Sequence, residues 1–132
     1  MRRRERIRRA TRTATLLAVI LGGAGVTHFL RPRGYDRIVP DALPPRLTTV
    51  ASGAAELGIA AGLLVPATRR ASGWAAAALF AAVFPANLKM ANDLLDSPRS
   101  SRAMRLGSVL RLPLQAPLVL WAVRVGRHAP KP

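Results

Sequence analysis

The sequence predicts an all-α fold, a four-transmembrane-helix bundle with antiparallel helices and both termini cytoplasmic. Three observations lead there. Charged and apolar residues are segregated along the 132 residues: Thr13–Leu30, Leu47–Thr68 and Ala71–Leu88 hold one formal charge between them, Glu56. Each stretch is close to the length of about 20 residues that crosses a bilayer. Proline, glycine and arginine gather in the pieces between, where spans should start and stop. Half of all residues are hydrophobic, yet the mean hydropathy is only slightly positive, because averaging hides this segregation.

Residues Met1–Arg12 (MRRRERIRRATR) form a basic cytoplasmic tail with seven arginines and one glutamate. Such a run stays on the side where it is made and is drawn to anionic lipid by about 1 kcal/mol per basic residue. The first span, Thr13–Leu30, follows. It is read as a span and not as a signal peptide, because Ala-x-Ala cleavage chemistry is absent and the apolar run continues through Val26 and Phe29. Arg31–Arg46 is a proline-rich loop. Pro44 and Pro45 suit a helix start, so the second span runs from about Pro45 to about Val65, and Pro66 with Arg69-Arg70 ends it. The short turn makes the second and third spans antiparallel neighbours.

The third span is Ala71–Leu88, with a helical continuation to Leu95 and a kink at Pro85, which lacks a donor for the Ala81 carbonyl. Asp96–Met104 is a polar loop. Leu112–Val123 is uncharged but only 12 residues long. It spans only when Gly107–Arg111 joins it and Arg111 snorkels toward the interface. Trp121 suits an interfacial anchor. The membrane domain thus covers residues 13–126, and 127–132 is a short C-terminal tail.

Basic residues set the orientation. The N-terminal run, the 66–70 turn and the C-terminal end carry twelve, against eight on the two longer loops. The excess places both termini in the cytoplasm and the chain in the inner (plasma) membrane as a multi-pass protein. The net charge of +15 would mark a soluble chain as a nucleic-acid binder. Here the arginines flank apolar segments, and the aromatic platforms that stack bases are missing, so no nucleic-acid partner is expected. With no cysteine, disulfides, thiol redox couples and thiolate metal sites are excluded. No metal motif, nucleotide fingerprint or nucleophile–base pair appears, so no catalytic residue is assigned and catalysis by this chain alone is not expected.

Small residues recur at helical spacing: Ala54, Gly58 and Gly62, and Ala18, Gly22 and Gly25. They permit close helix approach. Polar groups are placed less evenly. In the predicted topology His28, Glu56, Asn87, Lys89, Arg111 and Gln115 all fall in the outer half of the bilayer. Ser52 shares a face with Glu56 and Arg111 with Gln115, each pair four residues apart. Intramembrane ionisable groups are expensive and seek one another. The expectation is a polar pocket opening outward, built on a Glu56–Arg111 charge pair. Gln115, Asn87, His28 and Ser52 complete it, and Lys89 snorkels to the interface. Trp74, Phe80 and Phe84 read as lipid-facing or packing residues.

The same positions carry a resemblance. Gly25 with His28-Phe29, Tyr35, Ile38-Val39-Pro40, Leu43-Pro44, Ser52-Gly53 and Glu56-Leu57 come in order. Gly62-Leu63-Leu64, Pro66, Thr68-Arg69, Phe84-Pro85-Ala86-Asn87, Met90 and Arg111-Leu112-Pro113-Leu114-Gln115 follow. Over roughly residues 14–123 the chain resembles the DoxX-like family of small bacterial membrane proteins. The resemblance implies a four-helix membrane bundle associated with redox chemistry, since the family takes its name from a subunit of a thiosulfate:quinone oxidoreductase. The leading expectation is a non-catalytic membrane subunit that serves a redox enzyme partner, with a quinone as the cofactor of the Glu56 pocket. The alternatives are a small transporter or channel-like subunit, which needs a homo-oligomer for a path, and an assembly or scaffold protein whose pocket is structural.

Overall fold

The computed structural model describes residues 2–132, and among these the fold is built from helices alone, with no strand. There are five: α1 (Arg2–Leu30), α2 (Pro32–Asp36), α3 (Pro45–Leu64), α4 (Arg69–Asp96) and α5 (Arg102–His128). All but α2 are long and apolar enough to cross a membrane. Met1 lies outside the described residues.

Two boundaries differ from the sequence expectation. The basic stretch is not a separate tail: α1 continues through it without a break, giving 29 residues. At 1.5 Å per residue that is about 43 Å, well beyond a hydrocarbon thickness of about 30 Å. Arginine is a good helix former, and Arg9 bonds Glu5 one turn back, so the charged turns prolong the helix. At the other end of the chain the fourth segment is 27 residues long, because both Arg102–Arg111 and the residues after Val123 join it. Ser101 caps its start, accepting from the Met104 amide at 3.1 Å. Pro113 and Pro117 lie within it.

The remaining ends follow local chemistry. Pro45 opens α3 at a position where a missing N–H costs nothing. Its C-terminal carbonyls are taken up by the turn that follows. Thr68 Oγ1 donates to Gly62 O (2.8 Å), Arg69 Nε to Leu63 O (2.8 Å) and Arg69 Nη2 to Leu64 O (2.9 Å). Arg69 is therefore a helix cap as well as a charge. Within α1 the hydroxyls of Thr11, Thr13 and Thr15 bond carbonyls four residues back, so none needs water.

The long helices pack as a ring: α1 against α3 and α5, and α4 against α3 and α5, with α2 lying on α3 and α1. The core is made of small residues. Ala10, Ala14, Ala18, Ala60, Ala76 and Ala122 are buried with Leu17, Leu21, Leu63, Phe80 and Val125. Large apolar side chains point outward instead, with Val19 70% and Leu120 66% exposed. Small inside and large outside is the reverse of a water-soluble bundle and suits association in lipid.

Helices approach closely at several crossings. A Cβ on Gly73 would lie 2.6 Å from the Gly126 backbone nitrogen, and one on Gly53 would lie 2.7 Å from His28 Cβ. The expected Ala54–Gly58–Gly62 stripe is used only at its end. Gly58 has nothing near it, and only Gly62 meets a neighbour, Ser72. Trp74 and Phe84 are exposed while Phe80 is buried.

Candidate functional site

Toward the end of the bundle away from both chain termini the ring opens into a cavity of about 380 Å³. Its walls come from the second half of α1, the first half of α3, the middle of α4 and the middle of α5. Residues 38–43 and Tyr35 of α2 cover one side. His28, Ser52, Glu56, Asn87, Arg111 and Gln115, the six side chains singled out in the sequence, all line it. The rest of the wall is largely apolar, including Ile20, Leu21, Leu79, Phe80, Leu114 and Leu118.

The pairing inside differs from expectation. Glu56 does not pair with Arg111; its partner is His28, whose Nδ1 lies 3.0 Å from Glu56 Oε2. Both side chains are nearly enclosed, at 8% and 9% exposure. The ring topology explains this. α3 adjoins α1, and Gly25 and Gly53 let the two backbones come close, which carries the imidazole to the carboxylate. α5 adjoins α1 and α4, so Arg111 stays exposed at the rim and makes no ion pair with Glu56.

The hydrogen of His28 Nδ1 can be assigned by elimination. Nδ1 also lies 2.8 Å from Ala24 O, and a carbonyl only accepts. Nδ1 therefore carries hydrogen directed at Ala24. Glu56 Oε2 is left buried without a well-formed hydrogen bond. An unsatisfied carboxylate oxygen is costly, and it creates demand for a donor.

The second polar pair joins α4 to α5. Asn87 Nδ2 donates to Gln115 Oε1 at 3.2 Å, and Gln115 Nε2 donates to the Phe80 carbonyl. Phe80 directly precedes Ala81, whose carbonyl is the one Pro85 leaves without a helical donor. Ser52 lines the α3 wall one turn before Glu56. Lys89 does not simply extend to the interface. Its Nζ donates to Arg37 O at 3.1 Å and to Asp93 Oδ2 at 2.8 Å, tying α4 to the segment after α2.

The stretch 31–46, expected to be a loop, supplies what residue-by-residue reasoning missed. Tyr35, the only tyrosine in the chain, stacks on His28 with ring centroids 3.6 Å apart and planes at 19°. Its hydroxyl meets Thr27 Oγ1 at 2.5 Å. Asp36 pairs with Arg46, Oδ2 to Nη2 at 2.8 Å, which closes the segment over α3. The Thr49 hydroxyl lies beside the Asp36 carboxyl, close enough to lower its pKa, while falling short of hydrogen-bond geometry. Desolvation opposes this shift and Arg46 adds to it, and the net direction is downward. The signal available in the sequence was a lone tyrosine between an arginine pair and an Ile-Val-Pro run. Among the described residues no group of three or more histidine, cysteine, aspartate or glutamate side chains gathers to hold a metal.

A family model described as a domain of unknown function (DUF8561) matches residues 17–126, and the chain belongs to that family. The matched stretch contains every side chain of the cavity wall. Comparison with curated proteins and with solved structures gives no match.

Proposed function

We propose that this DUF8561 member is a multi-pass protein of the inner (plasma) membrane, an antiparallel four-helix bundle with both termini cytoplasmic. On this reading it is a non-catalytic subunit that lodges a quinone head group for a redox partner. Support for the helix directions comes from the crossings: Gly22 meets Ala60 and Gly25 meets Leu57, while His28 meets Gly53. Numbers rise along α1 as they fall along α3. The basic excess at the termini supports the orientation.

One observation carries the quinone reading: Glu56 Oε2 is buried without a hydrogen bond in a cavity whose wall is largely apolar. The residues present fit a flat apolar ring bearing oxygens. Leu21, Phe80 and Leu118 offer apolar faces, Arg111 a cation for a carbonyl oxygen of the oxidised ring, and Glu56 an unused acceptor for a hydroxyl of the reduced quinol. The volume lies within the range of about 300–1,000 Å³ that small-molecule sites occupy. When bound, a quinone would supply two-electron, two-proton chemistry. The chain's own part is to orient the ring between the apolar walls and to keep a carboxylate and an imidazole within proton-exchange distance of it. The redox association itself rests on the DoxX-like resemblance of the cavity-lining residues.

A conduction path through one chain is disfavoured by the opposite end of the bundle. There Leu17, Leu63 and Val125 are fully buried and close the centre. The test is titration of detergent-purified protein with a short-chain quinol kept in its reduced form, whose hydroxyls can donate to Glu56. The wild type is expected to bind, and Glu56→Gln to weaken binding about tenfold, or about 1.4 kcal/mol. Absence of binding, or an unchanged affinity in Glu56→Gln, removes the reading.

A further inference from the structure

At the opposite end from the cavity lies a second concavity, of about 600 Å³. Three separate pieces of chain build it: the first turns of α1 (Arg2, Arg3, Arg6), the first turn of α4 (Arg70), and the end of α5 with the residues after it (Arg127, His128, Lys131). Six permanent cations and a histidine line it, and no carboxylate side chain does. Among the described residues none of those six cations makes an ion pair or a side-chain hydrogen bond.

Two neighbouring basic groups are engaged elsewhere, while Arg4, Arg8, Arg12 and Arg124 are unpaired among the described residues and do not line the basin. Arg9 pairs with Glu5, and Arg69 caps α3. A diffuse basic tail would spread its charges apart to lower their repulsion. Here the fold does the reverse. α1 packs against α5, with Ala10 and Ala129 buried, and the start of α1 and the end of α5 line one basin with their cations around it. Confined like charges of this kind are stabilised by a multivalent anion. Guanidinium groups present paired donors that match phosphate oxygens bidentately.

We propose that this basin binds an anion carrying two phosphate groups on one molecule. The proposal stands independently of the quinone reading. Two sources share the chemistry, a diphosphatidyl lipid headgroup and a soluble diphosphate. The basin sits at the helix ends, on the same side of the bundle as the outward apolar side chains Leu64, Val65 and Trp74, where headgroups would lie if the bundle spans a bilayer.

The test uses the full chain in mild detergent, with binding read by native mass spectrometry. The probes are cardiolipin, phosphatidylglycerol at equal charge, and pyrophosphate. Wild type is expected to bind cardiolipin at least tenfold more tightly than phosphatidylglycerol or to bind pyrophosphate at submillimolar concentration. The first result assigns the lipid headgroup as source, and the second the soluble anion. Arg6→Gln/Arg70→Gln/Arg127→Gln, which removes one cation from each wall, is expected to lose at least tenfold. Arg4→Gln/Arg8→Gln/Arg12→Gln removes the same charge outside the basin and is expected to lose less than threefold. Equal losses in the two triple variants would overturn the proposal in favour of diffuse attraction. Should the basin variant fail to fold, wild type alone decides: no preference for cardiolipin together with no pyrophosphate binding also overturns it.

Discussion

The two ends of the bundle are built from the same four long helices and behave differently. At the end near the chain termini, alanines and glycines bring the helices into direct contact around Leu17, Leu63 and Val125, and the centre is closed. At the other end the helices carry His28, Glu56, Asn87, Arg111 and Gln115, and the centre is open. The difference teaches that small residues close a bundle in a way polar residues cannot. Backbones approach until atoms touch, whereas each polar side chain demands a partner and the space to reach it. Charge follows the same division. The closed end gathers its cations outside the core, and the open end keeps a carboxylate and an imidazole inside it.

The comparison can be broken most severely at Gly73. A side chain there would meet the Gly126 backbone, which has nothing flexible to yield. Gly73→Leu is expected to abolish recovery of monodisperse protein from detergent. Gly107→Leu, where nothing lies within 4 Å, should leave recovery unchanged. Equal behaviour of the two would show that the contact at the closed end does not hold the bundle.

At the open end the sharper probe is His28. Removing one member of a buried pair leaves the other uncompensated, so His28→Ala is expected to cost about 3 kcal/mol in reversible unfolding in mixed micelles. Much of that should return in His28→Ala/Glu56→Gln, because the amide carries no charge to strand. A double variant as unstable as the single would show that the imidazole acts through packing against Tyr35 instead.

The smallest effect concerns the segment over the cavity. The Thr49 hydroxyl, with Arg46, holds the Asp36 carboxyl below the usual aspartate range in the folded chain. A depressed folded pKa contributes stability that is fully present above the unfolded value and is lost as pH falls through the folded one. Protection of residues 31–46 in hydrogen exchange is therefore expected to fall below about pH 4, and the slope to disappear in Asp36→Asn. A slope that survives Asp36→Asn would assign the acid sensitivity to another group.

Much of this was legible from particular residues. Pro45, Pro66 and the charge-free runs place α3 to within a residue of its observed bounds, because helix starts and stops depend on local donors and fixed φ. The six polar side chains could be gathered at one depth, since depth along a helix is only a count of residues. Their pairing could not be read. Arg111 was the stronger formal partner for Glu56, yet which helices adjoin is a property of the ring and not of any one segment. Tyr35 was hidden for a related reason. A five-residue helix has too little periodicity to register, and its stack on His28 joins positions on two elements.

By itself the order of residues determined four apolar helices of spanning length, several of their ends, and the position of each charged group along its helix. These follow from chain-local quantities: hydropathy, proline geometry and a constant rise per residue. Only the tertiary structure decided that His28 faces Glu56, that Arg111 stands at the rim, and that arginines distant in sequence share one basin. Those outcomes depend on which backbones can approach closely, and that is settled by several helices packing at once.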